Sequence, residues 1–147
     1  MFRMTNRRYW IFQCNPQKYD LLARLEEPDA WITWTIRQHQ DEVSRGDVAF
    51  LWVSGADAGI AAVMEIDTDP IVMHELPAEQ RHWKGETGED PALRVIGRLV
   101  RRGVGLSRDV IRQTPGLEEL STLRMPRATN FAVSADEAAA LLRLIES

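Results

Sequence analysis

The chain has 147 residues, is 44% hydrophobic and 27% charged, and carries a formal net charge of −4, which fits one globular domain built on one core and argues against a protein that coats nucleic acid nonspecifically. Its single cysteine, Cys14, excludes an internal disulfide framework and a cysteine-based zinc ribbon and points to a reducing, cytoplasmic compartment. No window approaches 18 uncharged apolar residues, and the first eight residues run straight into a strand-like segment, so neither membrane insertion nor export is expected.

Tyr9 to Cys14 is an aromatic and β-branched run closed by Asn15-Pro16, where proline denies the preceding residue helical geometry; it predicts a buried first strand. Lys18 to Leu25 spaces Tyr19 and Leu22 as a two-turn helix that ends before Pro28. From Trp31 to Ile36 the residues alternate, with Ile32, Trp34 and Ile36 on one side and Trp31, Thr33 and Thr35 on the other, as a strand or an extended loop. Val48 to Val53 is apolar at every position, as a central strand should be, and Ser54 to Gly59 turns it tightly into a second strand through Ile66. Residues 67–91, with three prolines, two glycines and seven acidic groups, predict an irregular excursion. A strand is expected to resume over Leu93 to Val100, with Val95 and Leu99 alternating against Arg94 and Arg98. A short helix should then follow from Ser107 to Gln113. Phe131 to Val133 predicts a brief strand. Ser134 and Glu137 form a capping box, and Ala138, Leu141, Leu142 and Ile145 trace the apolar stripe of an amphipathic helix.

The charge is unevenly spread. Five basic and one acidic residue fall in 1–25, four and fifteen in 26–90, and nine and six in 91–147. Should the two chain ends meet, they would form a basic face; the alternative is a solvated surface in a sequence that prefers arginine. Candidate catalysts are few. Cys14 would need a base, yet nothing places His39, His74 or His82 beside the first strand, and these histidines have no metal-ligand spacing. Gly55 to Gly59 lacks the Gly-Lys-Ser/Thr of a phosphate loop. Five tryptophans are the oddity of the composition, either a large core or faces on which planar ligands stack.

Tyr9-Trp-Ile-Phe-Gln-Cys-Asn-Pro16 with Tyr19-Asp20, then Gly46-Asp47 leading to Phe50-Leu51-Trp52, then Ser54-Gly55 and Ala58-Gly59-Ile60, then Ala128-Thr129-Asn130-Phe131, together resemble the EVE domain over essentially the whole of residues 1–147. Ala128 departs from the glycine more usual there. The resemblance implies a single α+β domain of the PUA-like class, a curved mixed β-sheet or pseudo-barrel with flanking helices, akin to YTH and ASCH domains. It further implies a non-enzymatic module that holds a modified or flipped-out DNA or RNA base in an aromatic pocket, with no cofactor and no metal. Partner proteins supplying nuclease or processing activity are expected. Alternative readings are an RNA-processing or base-modifying enzyme of the PUA-like group, or a protein-interaction module.

By that resemblance Asn15 would meet the base edge, Trp31 and Trp34 would form the aromatic wall, and Trp52 with Ser54 and Gly55 would supply a floor and backbone donors. Asn15 could equally be a turn residue, and Asn130 could hold structure as much as ligand. Arg98, Arg101, Arg102, Arg124 and Arg127 are the nearest supply of phosphate contacts.

Overall fold

In β1 (Tyr9–Cys14) and β3 (Val48–Val53) successive side chains point to opposite faces of a sheet that is buried on both. Trp10, Phe12, Ala49 and Leu51 enter one core, while Ile11, Phe50 and Trp52 enter another on the opposite face. The computed structural model describes residues 7–85, 89–124 and 127–147. Its remaining strands are β2 (Trp31–Thr35), β4 (Gly59–Ile66), β5 (Ile71–Met73), β6 (Ala92–Arg101), β7 (Leu106–Ser107) and β8 (Asn130–Val133). The order β2-β6-β4-β3-β1-β8 makes one curved sheet, with β5 paired to β6 and β7 to β4. It is mixed, since β1 and β3 are parallel and the other pairs antiparallel.

The β3–β4 hairpin expected from Ser54 to Gly59 is present, with a bulge between Leu51 and Trp52 that tightens the curl. Gly59 is required there because a Cβ would lie 2.2 Å from the Leu106 carbonyl oxygen of β7. The two ends of the path, β2 and β8, are joined by side chains. Asn130 donates to the Thr35 carbonyl at 3.2 Å and accepts from the amides of Arg37 and Gln38 at 2.7 and 3.1 Å. Gln38 answers by accepting from the amides of Thr129 and Asn130 at 2.9 and 2.8 Å. The half-barrel therefore closes through two amide side chains.

α1 (Leu21–Leu25) starts at Asp20, which caps it by accepting from the Ala23 amide at 3.1 Å, and its Leu21 and Leu25 join the inner core. α3 (Arg108–Arg112) and α5 (Ala135–Glu146) cover the outer core with Ile111, Ala138 and Leu141. The capping box of Ser134 and Glu137 is formed. α4 (Ser121–Arg124) was not foreshadowed by its sequence. Among the described residues no helix is long and apolar enough to cross a membrane.

The excursion over 67–91 holds more structure than its composition suggests. It contains β5 and α2 (Pro77–Gln80), and two of its acids, Glu75 and Glu79, are buried. Glu79 pairs with buried Arg24 at 3.0 Å, and Arg94 lies 3.8 Å from Glu75 and 3.1 Å from Asp90. Arg94 and Arg98 share a strand face by alternation, yet Arg94 is buried beneath the excursion while Arg98 is exposed. Removing one partner of such a buried pair costs about 3–5 kcal/mol, so these pairs hold the excursion in place.

Candidate functional site

Where β1 ends, the excursion crosses the edge of the barrel, and a cleft of about 610 Å³ opens between them. Trp34, Tyr19 and Trp83 are its aromatic lining. Trp34 stacks on Phe12 with ring centroids 6.1 Å apart, and Trp83 lies against Tyr19 at 5.1 Å. The Trp83 indole is oriented by its Nε1–H, which donates to Glu75 at 3.1 Å. Glu75 also accepts from the Thr33 hydroxyl at 2.5 Å, so a carboxylate anchors both the β2 side and the excursion side of the cleft.

Beneath this layer Tyr19 donates its phenolic hydrogen to Glu79 at 2.6 Å. Burial, reinforced by the Glu79 carboxylate, pushes the Tyr19 phenol above its ordinary value. Burial also pushes Glu79 up, against the opposing pull of Tyr19, Arg24 and the Thr33 amide. Cys14 lines the same cleft, and burial, followed by the nearby Asp20 carboxylate, pushes its thiol up to about 12. It is therefore a neutral thiol at physiological pH, unsuited to nucleophilic attack.

The rim is cationic. Lys18, Arg37, Lys84 and Arg127 all border the cleft and are exposed, and Lys18 and Lys84 are the only lysines in the chain. Lys84 reaches the Pro16 carbonyl at 2.9 Å. A second hollow of about 680 Å³, between Leu22, Gly59 and Gly105, has Glu26 and Asp57 in its lining and no cation. Anionic ligands thus favour the first.

Of the residues singled out from sequence, Asn15, Trp34, Ser54 and Arg127 come together in the cleft. Asn15 lies at the mouth, where its Oδ1 accepts from the Gln17 amide at 2.9 Å, as an Asn-Pro turn residue does. Trp31 does not join Trp34. It is 45% exposed and lies opposite Arg98 in the β2–β6 ladder, because residues three apart on a strand face opposite ways. Trp52 is packed in the outer core, and Gly55 sits in the exposed turn at φ 106°. Asn130 is buried in the β2–β8 clamp.

The arginines proposed for phosphate are mostly engaged within the protein. Arg98 pairs with Glu65 at 2.9 Å, Arg101 with Glu146 at 2.8 Å and Arg124 with Glu119 at 3.8 Å. Arg102 binds the carbonyl of Leu25, the last residue of α1, and those of Glu27, Pro28 and Asp29 beyond it. Sequence reasoning missed Trp83, Glu75, Lys18, Arg37 and Lys84. The available signal was an indole stranded in a segment with no apolar periodicity, together with the rarity of lysine. Among the described residues no group of three or more His, Cys, Asp or Glu side chains gathers as metal ligands.

The family model of the EVE domain matches residues 8–144. A search of curated proteins finds no match. Among solved structures, a hypothetical protein from Leishmania major is similar at 19% identity and a TM-score of 0.68, covering 98% of each chain. A protein from Pseudomonas putida is 22% identical with a TM-score of 0.64, covering 93% of this chain and 99% of that one. The human THYN1 protein, solved in complex with 5-methylcytosine-containing DNA, is 16% identical with a TM-score of 0.67, covering 95% and 98%. At these identities the structural likenesses establish the fold, a PUA-like curved sheet with flanking helices.

Proposed function

The chain belongs to the EVE-domain family, and from that premise we propose that it is a non-enzymatic nucleic-acid-binding module, a single domain that takes a modified or flipped-out nucleobase into the cleft between Trp34 and Trp83. The observation that carries this reading is the cleft itself: two indoles and a phenol, polar groups at floor and mouth, and four cations around the rim. An extruded base needs an aromatic face to stack on, polar groups for its edge, and cations for the flanking phosphates. A cavity of about 610 Å³ lies within the usual range of about 300–1,000 Å³ for ligand pockets. The fold likeness to a protein solved with 5-methylcytosine-containing DNA supports the same reading. The neutral Cys14 thiol disfavours the alternative of an enzyme that uses it.

Phosphate contacts are assigned to Arg127 together with Lys18, Arg37 and Lys84, since the guanidinium groups of Arg98, Arg101, Arg102 and Arg124 are engaged within the protein. A cytoplasmic location and a partner protein supplying nuclease or processing activity belong to the same proposal. The first rests on the single free cysteine and the second on the family resemblance.

The test is a binding panel of short DNA and RNA strands, each with one modified base, against the unmodified strands. At least one modified strand should bind more tightly. Trp83→Ala should weaken it by about 1–3 kcal/mol with the melting curve little changed, whereas Arg98→Ala should leave it unaltered. If no strand in the panel discriminates and Trp83→Ala changes nothing, the base-reading function is lost and the protein-interaction alternative takes its place.

A further inference from the structure

We infer that the second hollow is a docking site for a partner protein, which enters it with a segment that sets large apolar side chains between basic ones. The inference does not depend on the base-binding reading, because the hollow and the cleft adjoin at Ser54 and share no other lining residue.

The hollow, of about 680 Å³, lies between α1 and the end of β4 that pairs with β7. Its α1 wall is formed by Leu22 and Leu25. Leu21 and Leu25 are buried in the inner core, whereas Leu22 is 60% exposed. A lone exposed leucine is ordinary on a protein surface. This one continues into a concave wall that includes Val53 and Leu106, and a continuous apolar concavity of that size marks an interaction site. Gly59, Ala61 and Gly105 add no bulk to fill it, and no atom comes within 4 Å of where a Cβ on Gly105 would stand. A broad apolar side chain fits such a space, and an aromatic or aliphatic anchor in a pocket is how protein interfaces concentrate their binding energy.

The charge of the walls says what flanks that anchor. Glu26 stands on the α1 side and Asp57 in the β3–β4 turn, and among the described residues neither carboxylate makes an ion pair or a side-chain hydrogen bond. The contrast with Glu27 is direct: Glu27 is used by the fold, paired to Arg81 and His82, while its neighbour Glu26 borders the hollow. No cation lines the hollow. Arg102 and Arg108, next in the chain to Gly103 and Ser107, are outside the lining, and Arg102 is spent on carbonyls beyond α1. Two unpaired carboxylates on opposite walls of an apolar space repel phosphate and complement a basic residue on each side of an apolar one. Arginine suits both places, since its guanidinium meets a carboxylate while its stem packs on apolar surface.

The probes are three capped hexapeptides, Gly-Arg-Phe-Leu-Arg-Gly, Gly-Glu-Phe-Leu-Glu-Gly and Gly-Arg-Ser-Ser-Arg-Gly, titrated into the full chain and followed by amide NMR spectra. The first should give saturable shifts at Leu22, Glu26, Asp57 and Gly59, with Trp34 and Trp83 unmoved, and should bind at least about tenfold more tightly than either control. Leu22→Ser, a change at an exposed position, should weaken it about fivefold or more. Glu26→Gln with Asp57→Asn, which keeps the shape of the walls, should reduce the preference for the basic over the acidic peptide to about threefold or less. No saturable shift at the hollow, or equal binding of either control, overturns the inference, and that comparison needs no variant to fold. A folded double variant that keeps the preference also overturns it. Without peptide, shifts at the same four amides that grow with protein concentration would identify a second copy as the occupant. Shifts there on adding a short DNA or RNA strand, larger than those at Trp34 and Trp83, would identify nucleic acid. Either result overturns the proposal, and all of these failures leave base reading, which is measured at Trp83, untouched.

Discussion

Cys14 occupies the last position of β1 with its thiol pushed up to about 12 by burial and then by Asp20. For an acid whose folded value is raised, the stabilisation is complete below its ordinary value of 9.0 and is lost as pH climbs from there toward about 12. Alkylation by iodoacetamide at pH 8 should therefore be at least about a hundredfold slower than for a free thiol, because only the thiolate reacts. A bound oligonucleotide should slow it further, since Cys14 lines the cleft. The two cleft indoles should differ as well. Trp34 is 7% exposed and packed on Phe12, so Trp34→Ala should destabilise the fold by about 3–5 kcal/mol in denaturant unfolding, while half-buried Trp83 should cost less. That difference makes Trp83 the cleaner probe of stacking.

Among elements, the clamp between β2 and β8 has the clearest consequence. Asn130→Ala would leave the amides of Arg37 and Gln38 and the carbonyl of Thr35 without this partner, at a cost on the order of 2–4 kcal/mol. Hydrogen exchange at residues 35–38 should accelerate more than at β3, and ligand affinity should fall because Trp34, Arg37 and Thr129 share the cleft. The excursion is also tied by Glu27, just beyond α1, to Arg81 at 3.3 Å and His82 at 3.2 Å beyond α2. The hydrogen bond from Arg81, with help from His82 and against a desolvation penalty, holds the Glu27 carboxyl below its ordinary value of 4.5. Its stabilising contribution is present above that value and is lost as pH falls through the lower folded value. Melting temperature against pH should show a shallower acid limb in Glu27→Gln than in the parent, with the two curves parallel above about pH 6.

For the whole molecule, a net charge of −4 and a cationic rim of four residues call for a small footprint. Contacts to two to four phosphates should give a log–log salt slope of about −0.7 per phosphate on a single strand. Changing Lys18, Arg37, Lys84 and Arg127 together to neutral residues should flatten it, while Arg98→Gln with Arg101→Gln should not. Affinity for the free modified nucleoside should barely respond to salt. Because both lysines lie on the rim, bound oligonucleotide should shield both from acetylation, a footprint readable by mass spectrometry.

Short apolar and β-branched runs bounded by turn residues by themselves determined β1, β3 and β4, and the capping box by itself determined the start of α5, because these depend on local composition and on hydrogen bonds within one turn. Alternation also separates Trp31 from Trp34, whatever ligand role each is given. The ordered blocks around Asn15, Trp52, Ser54 and Asn130 carried the family, but they did not distinguish residues that border the cleft from those that build the barrel around it. That distinction was decided in three dimensions. Trp83 reaches the cleft only because Glu75 and Glu79 of an acidic, proline-punctuated segment find Arg94 and Arg24, partners 19 and 55 residues away in the chain. The same long-range pairing settled the arginines, since Arg98 and Arg101 meet acids 33 and 45 residues distant and leave the rim to others. An ion pair has no sequence period, so the charge pattern supplied candidates and the closure of the half-barrel decided which of them face the cleft.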